Sequence, residues 1–91
     1  MAKHIYKQNF RSNGSVAFEP DLGQRTYADI ASRLSIPAAH LLWIISRDFL
    51  SRKKKISREE IAASISRAGH DWSRREIAGY LRELQAADCL R

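Results

Sequence analysis

The chain has 91 residues, 44% hydrophobic and 29% charged, with 16 Lys and Arg against 10 Asp and Glu for a formal charge of +6. That length fits one domain burying roughly 60–65% of its unfolded surface, and the composition excludes a disordered tail. The basic excess favours a polyanionic partner such as nucleic acid. Cys89, the only cysteine, leaves no internal disulfide, and the longest apolar run, residues 41–45, is too short to span a bilayer.

The start, Met1-Ala2-Lys3-His4-Ile5, lacks the apolar run of a secretory signal, so a soluble cytoplasmic protein is expected. Residues 5–18 set Ile5, Tyr6, Phe10, Val16 and Phe18 on either side of Asn13-Gly14, which suits a type I′ turn and predicts a short β-hairpin. The alternative is a basic arm carrying Lys3, Lys7 and Arg11. Residues 19–24 collect Pro20, Asp21 and Gly23 without periodicity and read as a linker. The division is therefore 1–24 for arm or hairpin and linker, and 25–91 for a helical domain.

Thr26-Tyr27-Ala28-Asp29 has the form of a capped helix start, which Ile30, Ala31 and Leu34 continue as a short amphipathic helix. Ser35 or Ile36 begins the next helix, with Pro37 tolerated in its first turn. From 38 to about 52 runs the most apolar helix. Its Leu41, Leu42, Trp43, Ile44, Ile45, Phe49 and Leu50 spread over most of the circumference, as in a central helix or one at an interface. Arg52-Lys53-Lys54-Lys55 closes it at the negative end of its dipole, as a solvated turn or a phosphate clamp. Lys55-Ile56 predicts a minimal strand.

Ile56-Ser57-Arg58-Glu59-Glu60-Ile61-Ala62 and Trp72-Ser73-Arg74-Arg75-Glu76-Ile77-Ala78 then repeat one local pattern. In each, a serine caps a helix, a glutamate three residues on completes a capping box, and the preceding apolar residue can staple onto the isoleucine. The first helix covers 58–67, buries Ile61, Ala62 and Ile65, and stops at Gly69, which suits the left-handed position past a helix end. A turn over 68–71 leads to the last helix, from 74 to about 87, with Trp72 stapled to Ile77 and Tyr80 in the core.

Two helix pairs fit a helix-turn-helix. In residues 27–45, Ile30, Ala31, Leu34, Ile36, Leu41 and Ile44 match its buried positions. With Leu41 and Ile45 inward, however, the outer side of the second helix shows Ala39, Trp43, Ser46 and Leu50 and no cation, which suits the core or a dimer contact better than a phosphate-lined groove. In residues 58–87, Ile77, Leu81 and Leu84 share one face with Tyr80 beside them, and the far face carries Arg75, Ala78, Gly79, Arg82 and Ala86. Small residues allow close approach, and guanidinium groups fork onto guanine edges or phosphates. Arg74 and Arg75 also oppose the helix dipole, by about 0.3–1 kcal/mol each, a cost that an anion relieves.

From residue 38 onward the order α-β-α-α resembles the winged helix-turn-helix superfamily of small bacterial, phage and plasmid regulators. Ser57-Arg58-Glu59-Glu60-Ile61-Ala62 looks like its second helix and Ser73-Arg74-Arg75-Glu76-Ile77-Ala78 like its recognition helix. The chain departs from the pattern in a longer inter-helix turn and in leaving only Cys89-Leu90-Arg91 to start a wing, unless the N-terminal hairpin substitutes. The expected fold is mainly α: a helix-turn-helix or winged-helix-like bundle of about four helices with a short N-terminal β-hairpin.

The expected function is a sequence-specific, double-stranded DNA-binding transcriptional regulator, homodimeric through an apolar face that includes Trp43. Arg75 and Arg82, with Arg74, read or clamp the major groove, while Ser73, Arg67, His70, Arg58, Lys53, Lys54 and Lys55 hold phosphates. The rival is a small phage- or plasmid-encoded inhibitor or adaptor that uses the same scaffold to bind a protein, and RNA binding is a third reading. His4, His40, His70 and Cys89 lack metal-ligand spacing, no serine sits in a nucleophile elbow, and the glycines form no phosphate loop. No metal, cofactor, small-molecule ligand or enzymatic activity is expected.

Overall fold

Four hydroxyl side chains set where the helices begin. In the computed structural model, which describes residues 16–91, Thr26 caps α1 (Tyr27–Ala31) by accepting from the Asp29 N–H, and Ser35 caps α2 (Ile36–Arg52) by accepting from the Ala38 N–H. Ser57 and Ser73 cap α3 (Arg58–Arg67) and α4 (Arg74–Ala86), each in a complete capping box with Glu60 and Glu76. Each cap satisfies an N–H that the first helical turn otherwise leaves without a partner. With Ser35 as the cap, α2 starts at Ile36, one of the two starts expected, and Pro37 sits in its first turn.

The helix ends are as local. Lys53 adopts φ 57° and donates its N–H to the Phe49 carbonyl, Gly69 takes φ 89° beyond α3 as its lack of a Cβ allows, and Asp88 takes φ 58° beyond α4. The strand falls on Ile56–Ser57 (β2), one residue later than expected, so Ser57 serves both the sheet and the α3 cap.

The fold is mainly α, with four helices and a two-stranded antiparallel sheet among the described residues. The central helix is α2, against which α1, α3 and α4 all pack. Its Ala38, Leu41, Leu42, Ile44 and Ile45 join Ile30, Ile61, Ile65, Leu81, Leu84, Phe18, Ile56 and Cys89 in one buried cluster. Each large aliphatic side chain so buried contributes about 1.5–3 kcal/mol of transfer free energy. Trp43 and Leu50 lie outside this core, and Ile36, expected at a buried position, is 84% exposed. Ala62 is exposed as well, because the inward row of α3 runs through Ile61, Ser64 and Ile65.

The hairpin turn expected at Asn13-Gly14 lies outside the described residues. Ala17–Phe18 (β1) pairs antiparallel with β2, Ala17 opposite Ser57 and Phe18 opposite Ile56. The next residues, read from sequence as a linker, pair with the C-terminal end: Pro20 lies opposite Leu90, the Asp21 N–H donates to the Cys89 carbonyl at 2.8 Å, and the Arg91 N–H donates to the Glu19 carbonyl at 2.9 Å. The Arg25 guanidinium locks this seam by donating to the carbonyls of Asp21, Leu22, Ala87 and Asp88. The stretch Cys89-Leu90-Arg91 that leaves α4 is thus bound to residues 19–21. Among the described residues no helix is long and apolar enough to cross a membrane.

Candidate nucleic-acid interface

The capping box at Ser73 fixes the start of α4, and its apolar spacing fixes the rotation. Leu81 and Leu84 are buried, Ile77 and Tyr80 half-buried, and Arg75, Arg82 and Ala86 exposed. Arg75 and Arg82 stand two helical turns apart, about 10.5 Å along the axis. Between them Ala78 and Gly79 keep the surface low, and a Cβ added at Gly79 meets nothing within 4 Å. Packing within the chain therefore does not require glycine at that position.

A groove of about 150 Å³ separates α3 from α4, lined by Arg58, Glu59 and Ala62 on one wall and Arg74, Ile77, Ala78 and Leu81 on the other. Arg58 and Arg74 occupy the first helical position on opposite walls, where their charges oppose both helix dipoles. The turn between the helices is packed with rings. His70 stacks on Trp72 with centroids 4.4 Å apart, meets His40 of α2 edge-on at 4.6 Å, and Trp72 meets Tyr80 edge-on at 5.2 Å. Trp72 thus has His70, Tyr80 and, at 6.5 Å, His40 as aromatic neighbours, and the ring cluster fixes the approach into α4.

The cations divide into two sets. Arg52 and Lys54 both pair with the Glu60 carboxylate, at 2.5 and 3.1 Å. The backbone N–H of Ser57 and the Lys54 ammonium hold the Glu60 carboxyl down at about 2. Arg67 donates to the Ser64 hydroxyl, which itself donates to the buried Asp48, and Arg47 lies 3.5 Å from the same carboxylate. Arg91 pairs with Asp21 and Glu19, and Arg25 with the four carbonyls described above. Lys53, Lys55, Arg58, Arg74, Arg75 and Arg82, with Arg33 of the α1–α2 turn, make no ion pair or side-chain hydrogen bond among the described residues.

Of the residues named from sequence, the structure brings Arg58 and Arg74 together across the groove and sets Arg75 and Arg82 along the adjoining surface. Lys53 and Lys55 lie in the turn between α2 and β2, leading into α3. Arg67 stands at the far end of α3, about 13.5 Å along the axis from Arg58, and its guanidinium already serves Ser64. Lys54 is held by Glu60, His70 is stacked in the ring cluster, and the Ser73 hydroxyl accepts from the Glu76 N–H while its own N–H donates to that side chain. Sequence reasoning missed the anchors that divide the cations, Glu60 and Asp48. Asp48 had a visible signal: an acid on the inward side of an otherwise apolar helix requires a polar partner.

Among the described residues no group of three or more His, Cys, Asp or Glu side chains is placed to hold a metal ion. Neither the family models, nor the curated proteins, nor the solved structures compared with this chain contain a match to it.

Proposed function

We propose that the protein binds double-stranded DNA as a homodimeric transcriptional regulator, with the exposed face of α4 in the major groove. The observation that carries this reading is the division of cations. Arg25, Arg47, Arg52, Lys54, Arg67 and Arg91 are held by carboxylates, the Ser64 hydroxyl or backbone carbonyls. Of those that make no ion pair or side-chain hydrogen bond among the described residues, Arg58, Arg74, Arg75 and Arg82 gather around one helix and its adjoining groove, with Lys53 and Lys55 in the turn leading into α3 and Arg33 apart from them. Arg75 and Arg82 reach base edges or phosphates from α4, and Arg58, Arg74, Lys53 and Lys55 contact the flanking backbone. Phosphates then relieve the opposition between Arg74 and Arg75 and the α4 dipole. The α-β-α-α order and the winged helix-turn-helix resemblance support the same reading. With Cys89-Leu90-Arg91 held against residues 19–21, any wing-like contact falls to that seam.

The test is selection of duplexes from a random pool followed by affinity measurements. The selected duplex should bind wild type with a steep salt dependence, and Arg75→Ala should lose about 1–3 kcal/mol on it while retaining the fold. A pool that yields no preferred duplex, or an Arg75→Ala variant that binds as wild type does, rejects the assignment.

The protein-binding reading is favoured by one observation, the apolar surface around Trp43, which is 48% exposed. Pull-down before and after nuclease treatment separates the two: a protein partner survives the nuclease, and a DNA-tethered one is lost.

A further inference from the structure

The outward side of α2 carries Ile36, Trp43 and Leu50, which are 84%, 48% and 72% exposed. They are seven residues apart, so they fall nearly in one row, about 21 Å from end to end with Trp43 at its midpoint. Other charge on this face is slight. The Arg47 guanidinium lies over the Trp43 ring, 5.0 Å from its centroid, and is 3.5 Å from Asp48, while His40 is turned into the ring cluster. Beside the row, Tyr27, Ala31 and Leu34 of the α1 region and Ala39 of α2 wall an open apolar groove, and the Tyr27 hydroxyl donates to the Ala39 carbonyl at 2.6 Å. This wall is therefore fixed in place.

We propose that a second copy of this chain covers the row, as an antiparallel pair of α2 helices related by a two-fold axis through Trp43. The row reads the same in both directions: inverted about Trp43, Ile36 of one copy meets Leu50 of the other, and Trp43 meets Trp43. A self-complementary patch of this kind is what an isologous two-fold contact requires. Side chains of this size have about 150–250 Å² each, so the three exposed portions come to roughly 400 Å² per copy and about 800 Å² for the pair. The groove wall adjoining each row adds to this, towards the roughly 1,000 Å² total that separates specific interfaces from chance contacts. Ala39 and Ser46 beside the row are small enough for the helices to approach closely.

The choice of antiparallel over parallel has a consequence for α4. By helical position Ala39, whose carbonyl holds the Tyr27 hydroxyl of α1, and His40, against which His70 and Trp72 lead into α4, fall on opposite sides of the row. An antiparallel pair keeps both α4 helices on one side of the plane of the two α2 helices, whereas a parallel pair sends them to opposite sides. Two reading helices on one side are what a duplex with two half-sites needs. The pairing rests on the DNA-binding reading for its purpose, but its test needs no DNA.

Single Ile36→Cys and Leu50→Cys variants, each with the buried Cys89 left in place, are mixed and oxidised, and wild type is compared with Trp43→Glu and Ile36→Glu by sedimentation and circular dichroism. The proposal expects wild type to sediment as a dimer, both glutamate variants as helical monomers, and the disulfide to join position 36 of one copy to position 50 of the other. Wild type that stays monomeric into the millimolar range, glutamate variants that remain dimeric, or cross-links joining 36 to 36 and 50 to 50 each overturn it. Duplex affinity of the same samples is read separately. A dimer with these cross-links that binds no DNA supports the pairing and rejects the DNA reading, and a wild-type monomer that binds DNA does the reverse.

Discussion

Both α3 and α4 start at a serine whose hydroxyl accepts from the N–H of a glutamate three residues on, yet Glu60 also collects Arg52 and Lys54, whereas Glu76 collects no cation among the described residues. At the position before that glutamate stands Glu59 in α3 and Arg75 in α4. Further along, α3 buries Ser64 against Asp48 of α2, and α4 buries Leu81 and Leu84 while presenting Arg82 outward. The cap motif accounts for where both helices begin. What differs is what the capping glutamate does with neighbouring charge: in α3 it neutralises Arg52 and Lys54, whereas in α4 Arg74, Arg75 and Arg82, with Arg58 across the groove, stay unpaired among the described residues.

The largest loss is expected at Ser64. Ser64→Ala leaves the buried Asp48 carboxylate with Arg47 as its remaining side-chain partner and should cost about 1–3 kcal/mol in a denaturant titration, with little change in duplex affinity beyond the unfolded fraction. Equal loss of affinity and stability would mean that the Asp48–Ser64–Arg67 cluster belongs to the binding surface. The caps come next. Ser57→Ala and Ser73→Ala should each cost about 0.5–2 kcal/mol of stability, and by similar amounts, because their hydrogen bonds are the same. A much larger loss at Ser57 would show that its second role in β2 outweighs the cap.

Gly79 sharpens the contrast from the other side. A helix interior prefers alanine, and the added Cβ has open space, so Gly79→Ala should raise stability by about 0.5–1 kcal/mol. Its duplex affinity should nevertheless fall, since the methyl group would stand between α4 and the groove floor. A variant that gains stability and binds as tightly as wild type removes Gly79 from the interface. The smallest effect is the pH dependence of α3. The folded-state value of Glu60 is held at about 2 against an ordinary 4.5, so its stabilising contribution is present in full above 4.5 and disappears as the pH falls towards 2. The melting-temperature difference between wild type and Glu60→Gln should shrink over that window, and a constant difference would show that the carboxylate does not hold Arg52 and Lys54 in solution.

Much of this was legible in the sequence because it is local. Thr26, Ser35, Ser57 and Ser73 announce helix starts through partners three residues away, and Gly69 announces an end through its backbone freedom. The inward faces of α2 and α4 followed from apolar spacing, which is why Leu41, Ile45, Leu81 and Leu84 were placed inward from the pattern alone. The seam of residues 17–21 against 56–57 and 89–91 was not legible, because short strands carry little periodicity and their pairing is set by packing across the chain. Residues 19–24 read as a linker for the same reason: the chemistry of Pro20 and Gly23 is that of a turn, and the carbonyls that Arg25 gathers come from both ends of the domain. In the candidate site, sequence spacing singled out Arg75 and Arg82 correctly as exposed. It did not separate Lys54, Arg67 and His70 from them, since Glu60, Ser64 and Trp72 claim those residues through side-chain geometry. Ile36 was misplaced because a motif template supplied its burial, and the Ser35 cap rotates it to the outside.

The most direct test of the central claim is the salt dependence of affinity for a selected duplex, measured for wild type and for the Arg75→Ala Arg82→Ala double variant. Two phosphate-neutralising or base-reading guanidinium groups on α4 predict a lower affinity and a slope of log affinity against log salt that is shallower by up to about 2, with unchanged helicity. A double variant with wild-type affinity and slope would contradict the placement of α4 on DNA.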